Sequence, residues 1–354
     1  MLKRSGGSIF VESGRSVFHN FGSVEEECHA LRNGAGIRDL SDEGIICCTG
    51  SDTADYLHRV TTNNIKGTGK NHITRTLFTT DKGRIVDLAT VFPVHNDIIL
   101  IGSGIYHSKL MRWIDKYLIM EDMHIRSATG QYAALSVTGP KAGALVSETG
   151  YRPLESSGAG SIQQFNVQGK IIFGVKIREN FNQFLLITEA PNGEFLLKSL
   201  MESGDIPARL VGEEAYTIFR IEQGIPASPT EINEDVNPHE AGLLNEVDFD
   251  KGCYIGQEVI ARLDTYDKVQ KHMRGFRVTG DAVISPGTEL FSPAGKIAGM
   301  VTSAAYSPGF STFIGMGLIR KALEQRGTRL YFRDSHKSDN EIIITGFPIN
   351  ASSI

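Results

Sequence analysis

Cysteine is scarce in this 354-residue chain, which holds only Cys28, Cys47, Cys48 and Cys253. None stands in a C-x-x-C pair, and no histidine pair at zinc-ligand spacing accompanies them. That excludes the common structural metal motifs and a disulfide framework. Cys47 and Cys48 are neighbours whose side chains would point to opposite faces of a strand. Free thiols in a reducing compartment fit this usage. Long apolar runs are lacking too. The N-terminal segment MLKRSGGSIFVESGRSVFHN holds none longer than Ile9-Phe10-Val11, too short for a signal peptide. No later segment approaches the roughly 20 apolar residues of a membrane span. There is no basic excess: 36 Lys and Arg against 41 Asp and Glu leave a formal net charge of −5. General affinity for nucleic acid is therefore not expected, and an anionic ligand needs a local basic pocket. These absences together predict a soluble, unexported, cytoplasmic protein with no metal site, no nucleic-acid partner and no membrane partner.

Hydrophobic residues at 40% and charged residues at 22% give the balance of a folded chain, and the length suits two or three domains. Ser23-Val24-Glu25-Glu26 is a capping box opening a helix that runs to about Gly34. Residues 44–50 read as a buried strand, followed by a helix over 52–60 with Asp52 as its N-cap. Gly67-Thr-Gly69 reads as a loop. Strands are expected at 84–92 and 97–101 with the turn at 93–96, and a helix over 105–119. A strand at 132–137 leads through Thr138-Gly139-Pro140 into a helix with Pro140 in its first turn. The strand–Thr-Gly–helix pattern thus occurs twice, at Thr49-Gly50 and Thr138-Gly139, either as two ordinary turns or as two related half-units. Strands near 171–177 and 184–188 precede helices near 192–202 and 213–222. Residues 223–250 form a long acidic, proline-containing stretch without periodicity, either a solvated excursion or a functional loop. From about Arg274, short alternating runs at 275–278, 297–304, 313–319 and 341–345 are separated by Gly and Pro, as in a small antiparallel barrel.

Lys251-Gly252-Cys253-Tyr254-Ile255-Gly256-Gln257-Glu258 is the most informative segment. Two glycines around a thiol and an aromatic ring let the backbone turn sharply and approach a ligand. Lys251, two positions from Cys253, could favour the thiolate. Read on its residues alone, Cys253 is either a small packed hydrophobe or a reactive thiol.

The octet resembles the K-G-C-Y-x-G-Q-E signature of the YgfZ family, relatives of the glycine-cleavage T-proteins. Arg220-Ile-Glu222-Gln-Gly224-Ile-Pro226 is similar to the L-R-x-E-x-G-x-P segment of that superfamily, and Pro238-His-Glu240-Ala-Gly242-Leu to its P-x-E-A-G-L segment. Ala35 to Ser41 resembles its A-x-x-x-D-x-S opening. Thr61-Thr62-Asn63-Asn64 and Gly83-Arg84 stand where its T-T-N and G-R segments occur. The resemblance implies an α+β fold: a T-protein-like folate-binding domain of two α/β subdomains around a central cavity, then a small C-terminal antiparallel β-barrel. Boundaries are expected at residues 1–268 and 269–354, with an inserted or second subdomain around 52–130. The cofactor implied is tetrahydrofolate or a one-carbon derivative. The implied catalytic residues are Cys253 and Lys251. Asp87, Arg220, Glu222, Thr62, Asn63, Tyr254 and Gln257 are the folate-binding candidates. Arg220 would supply the cation for a folate carboxylate, or else form a surface charge pair with Glu222. Asp87 would reach the pterin or one-carbon unit, or else lie on the wet face of a strand.

The chain departs from T-proteins in two places. Their paired acids after the G-R turn are here the single Asp87 followed by Leu88, and an acid expected to hold the pterin falls at Leu185. The YgfZ resemblance implies a folate-binding maturation or repair factor serving iron–sulfur client or assembly proteins through Cys253. The alternatives are a folate-dependent aminomethyltransferase or methyltransferase, and a binding module without chemistry.

Overall fold

The computed structural model describes residues 8–12, 15–67, 69, 71–178, 181–202, 204–266, 268–333 and 339–350. Two compact units emerge, Met1–Leu77 with Asp87–Tyr216, and Phe78–Val86 with Thr217–Ile354.

The first unit opens with a hairpin of β1 (Ser8–Glu12) and β2 (Arg15–Asn20). Helix α1 (Val24–Asn33) begins where its capping box predicts, the Ser23 hydroxyl accepting the Glu26 N–H at 3.3 Å. Then come β3 (Ala35–Asp39), β4 (Gly44–Thr49), α2 (Thr53–Val60), β5 (Thr74–Thr79), β6 (Ile85–Val94) and β7 (Asp97–Gly102). The turn between β6 and β7 is confined to His95 and Asn96. Pro93 and Val94 stay in the strand and pair with Ile98 and Asp97. Helix α3 (His107–Tyr117) follows a 3-10 turn, and β8 (His124–Ser127) completes a five-stranded sheet ordered β5-β6-β7-β4-β8.

Strand β9 (Tyr132–Thr138) leads into α4 (Ala142–Val146) and α5 (Pro153–Ser156). Pro140 is not in the first turn of α4, because Gly139 adopts a φ of +129° and the chain turns before the helix starts. Gly50 is equally left-handed, at +116°. A Cβ at Gly50 would stand 2.1 Å from the Asp122 carbonyl oxygen, and one at Gly139 would stand 2.5 Å from that of Gly34. Both Thr-Gly pairs are therefore sterically demanded. Strands β10 (Ile162–Val167), β11 (Lys170–Arg178) and β12 (Gln183–Glu189), helix α6 (Gly193–Met201) and β13 (Ala208–Leu210) complete a six-stranded sheet ordered β10-β11-β12-β9-β3-β13 with its covering helix. Ile45, Cys47, Phe92 and Ile99 of one sheet share a buried cluster with Ala134, Val175, Leu185 and Ile187 of the other. Leu186, one position on, belongs to a second cluster with Leu145 and Leu196 of the helices. The period-two alternation of β12 thus feeds both cores.

Helix α7 (Glu213–Gln223) carries the chain into the second unit, and α8 (Gln257–Thr265) follows the long acidic stretch. That stretch is no solvated excursion: Ile232, Val236, Asn237 and Ala241 are buried and Glu231 is fully so. Strands β14 (Lys271–Val278), β15 (Glu289–Phe291), β16 (Ile297–Ser307), β17 (Thr312–Arg320), β18 (Arg329–Arg333) and β19 (Asp339–Thr345) close into a barrel ordered β14-β17-β16-β15-β18-β19. Phe276, Leu290, Val301, Leu330 and Ile344 fill its interior. Among the described residues no helix is long and apolar enough to cross a membrane.

Candidate functional site

The octet forms a loop that ends in α8, with Gln257 as the first helical residue. Gly256 precedes it at a φ of +84°, and a Cβ there would lie 2.5 Å from the Thr80 carbonyl oxygen and 3.0 Å from Gly83 Cα. The Thr79 hydroxyl donates to the Ile255 carbonyl at 2.5 Å. The turn carrying Gly83-Arg84 is therefore packed directly on the octet.

Among the described residues none of the four cysteines forms a disulfide, and Cys253 alone of them is exposed. Burial pushes the Cys47 and Cys48 thiols up, so they are poor nucleophiles. Among the described residues no group of three or more His, Cys, Asp or Glu side chains is placed to hold a metal ion.

Around Cys253 the environment changes sharply. Lys251 is buried, its ammonium 5.4 Å from the centroid of the Tyr254 ring. Desolvation lowers its pKa to about 8, partly offset by Asp248. Tyr254 is 7% exposed, and its hydroxyl has no hydrogen-bond partner among the described residues. Burial pushes that phenol up to about 12. Because the Lys251 pKa is depressed on folding, the native state loses its proton before the unfolded chain does. Stability therefore rises with pH between about 8 and 10.5. Lys251→Met is expected to be more stable than the parent at pH 7, by up to about 3 kcal/mol. The gap should narrow over that window when urea unfolding is followed against pH, and a gap independent of pH would show Lys251 to be solvated.

Arg220 and Glu222 lie together on α7 but do not pair as a surface couple. Arg220 is 7% exposed and donates to Glu231 at 3.0 Å and to the Ser303 hydroxyl at 2.8 Å. Glu231 also accepts from Ser303, Thr230 and the Ala227 N–H. Glu222 accepts the Ser307 hydroxyl at 2.9 Å, and its carbonyl takes the Ile349 N–H. Both side chains thereby engage β16.

Sequence reasoning missed two carboxylates, Glu231 and Glu240. Glu240 accepts Arg84 at 2.9 Å and the Asn237 N–H at 3.0 Å, and its carbonyl takes the Met273 N–H of β14. It joins the G-R turn, the P-x-E-A-G-L segment and the barrel. The opposite charges of Arg84 and Glu240, each inside a quoted motif, were the available signal. Nothing in the sequence matched Glu231 to an arginine eleven residues away.

The remaining candidates belong to the first unit. Asp87 is not on a wet face. It is fully buried on β6, and its two oxygens accept the Leu88 N–H at 2.9 Å and the Ser103 N–H at 3.0 Å. Thr62 accepts the Leu77 N–H, while Asn63 donates to the Arg75 carbonyl and accepts the Asn64 N–H, tying their loop to β5. Leu185 lies in the dry cluster between the two sheets, so no acid could stand at that register without desolvation.

Residues 8–251 match the family model described as the GCVT N-terminal domain, and residues 271–339 match the glycine cleavage T-protein C-terminal barrel domain. The chain belongs to the glycine cleavage T-protein family. Within this family it is 31% identical over 319 residues to the Arabidopsis thaliana protein "Putative transferase At1g60990, chloroplastic", covering 90% of this chain and 72% of that protein. It is 26% identical over 340 residues to an aminomethyltransferase of Caldanaerobacter subterraneus, covering 94% and 86%. The crystal structure of the glycine cleavage system aminomethyltransferase T from Bartonella henselae superposes with a TM-score of 0.86 at 18% identity, over 98% of this chain and 95% of that one. This last likeness is one of fold, and it includes the C-terminal barrel.

Proposed function

We propose that this protein binds tetrahydrofolate or one of its one-carbon derivatives and acts among the folate-dependent transferases. What carries the reading is the extent of its similarity to aminomethyltransferases, which runs over nine-tenths of the chain. One feature of the octet fits a ligand: the buried Tyr254 hydroxyl has no hydrogen-bond partner among the described residues. A group in that position is costly unless something hydrogen-bonds to it. Of the folate-binding candidates, Tyr254 and Gln257 belong to the second unit and Asp87, Thr62 and Asn63 to the first. Calorimetric titration with tetrahydrofolate and its 5,10-methylene and 5-formyl forms tests this. Saturable binding is expected, and ligand at about 100 times Kd should add about 2.7 kcal/mol of stability, seen as a higher Tm. No binding of any form would end the reading.

Glycine cleavage itself is not expected. Asp87 is followed by Leu88, and Leu185 occupies dry interior where the T-protein resemblance implies an acid. In a reconstituted glycine-cleavage assay, turnover should fall far below that of an aminomethyltransferase. Comparable turnover would assign aminomethyl transfer instead.

A second reading is favoured by one observation: the exposed thiol among four is the cysteine of the YgfZ-type octet. In this reading the protein serves iron–sulfur client or assembly proteins, with Cys253 as the working group and folate as regulator or one-carbon carrier. An exposed free thiol suits a reducing compartment such as the cytoplasm.

A further inference from the structure

Ile119 and Met120, in the first unit just after α3, are 83% and 92% exposed, the highest values of any large apolar side chain among the described residues. Their backbone is held in place. The Glu121 carboxylate accepts the Ile119 N–H at 2.9 Å and the Met120 N–H at 3.1 Å, and it also takes Arg59 of α2. Asp122 accepts the Ser51 N–H and hydroxyl, and its own N–H donates to Asp52. Contacts at both ends of α2 thus fix this tip while its two side chains stand clear of the surface. Helix α3 adds rings and charge beside it. Leu110 and Ile114 face the core. At 3.6 residues per turn, Lys109, Arg112 and Lys116 fall within an arc of about 60° away from that buried face. Trp113 and Tyr117 lie between the stripe and the core, their ring centroids 4.8 Å apart. The Lys116 ammonium stands 4.9 Å from the Tyr117 ring centroid, and that of Lys109 stands 4.4 Å from the Tyr106 centroid. Asp115 is the one acid of the helix.

Single exposed apolar residues are ordinary, whereas two adjacent ones beside rings and cations form a patch that marks an interaction surface. Bases of a nucleic acid stack on rings rather than on aliphatic side chains, and a protein partner would need a groove shaped for the tip. A fluid lipid surface admits a protruding aliphatic pair without one. Trp and Tyr settle at the membrane–water boundary, and cations on one face of a helix attract anionic headgroups. We propose that α3 and the 119–120 tip form a peripheral docking surface for a lipid bilayer bearing anionic headgroups. Ile119 and Met120 enter the edge of the acyl region, and Lys109, Arg112 and Lys116 meet the headgroups. A membrane span needs roughly 20 apolar residues, so a two-residue tip leaves no such signal in the sequence. Docking of this kind is independent of the folate reading.

The full chain is mixed with vesicles of phosphatidylcholine alone and with vesicles of phosphatidylcholine and phosphatidylserine in equal parts, and binding is read by co-sedimentation. Trp113 is the chain's one tryptophan, so its fluorescence reports contact at this face directly. The parent is expected to prefer the phosphatidylserine vesicles by about tenfold or more, with a blue shift of Trp113 emission. Added salt should shrink that preference. The Ile119→Ser/Met120→Ser variant should bind about tenfold or more weakly. It should melt as the parent does, because both side chains are exposed. The Arg112→Gln/Lys116→Gln variant should lose the preference for phosphatidylserine. A parent that stays in solution with both vesicles overturns the proposal, and so does either variant binding as well as the parent. Self-association without vesicles that the tip substitutions abolish would assign the face to a second copy and overturn it. A Trp113 response to a single-stranded oligonucleotide but not to vesicles would assign it to nucleic acid and overturn it too.

Discussion

Glu231→Gln is expected to lower stability by about 3–5 kcal/mol, the usual consequence of removing one partner of a buried ion pair. Glu231 is fully buried, and Arg220, Ser303, Thr230 and the Ala227 N–H all converge on its carboxylate. Glutamine keeps the volume but leaves the Arg220 guanidinium charged in a site where water cannot replace the lost counter-charge. Urea unfolding should show a lower midpoint at unchanged slope. Arg220→Met combined with Glu231→Leu should recover much of the loss, because the desolvation of both charges disappears with the pair. A cost under about 1 kcal/mol for Glu231→Gln would mean that the pair is solvated and that Arg220 is available to a ligand. The same argument changes what Arg220→Ala would report: any loss of folate affinity must be measured on protein shown to be folded.

On the second reading proposed above, in which Cys253 serves iron–sulfur proteins, Cys253→Ser is expected to fold normally and bind folate, yet to fail to restore iron–sulfur enzyme activity in a strain lacking its own YgfZ-type protein. The side chain is exposed, so the substitution leaves no cavity, and a stability change beyond about 0.5 kcal/mol is not expected. A hydroxyl is far harder to deprotonate than a thiol and ligates iron poorly, so serine cannot replace a working thiolate. Cys28, Cys47 and Cys48 changed to Ser should complement. Those variants should still lose about 1–3 kcal/mol wherever the new hydroxyl finds no partner, because all three sites are buried. Alkylation of the native protein should label Cys253 first. Full complementation by Cys253→Ser would remove the thiol reading and leave the folate-dependent transferase as the function.

Together the two variants separate a residue that holds the second unit together from one presented to solvent, a distinction the motifs do not draw. Arg220 and Cys253 both stand in segments that resemble the family pattern equally well, yet one is locked inside an ion pair and the other is open.

Much of the architecture was legible in the sequence because it is local. The Ser23 capping box, the buried apolar run of β4, the two Thr-Gly turns and the short Gly-separated strands of the barrel each follow from neighbouring residues and their spacing. The octet was legible too, since two glycines around a thiol permit a sharp turn that other residues resist. Only the tertiary structure decided which polar groups are taken up internally. Arg220 meets Glu231 and Ser303, Arg84 meets Glu240, and Asp87 meets the Ser103 N–H through contacts that no periodicity encodes. Leu185 and Leu186 differ by one position, and which of the two cores each enters depends on how two sheets and their helices pack. Lys271 and Arg320 are 49 residues apart, and strand register alone makes them neighbours. Charge pairing and desolvation depend on distance in space, so a chain read in order shows which groups are present but not which of them remain available to a ligand.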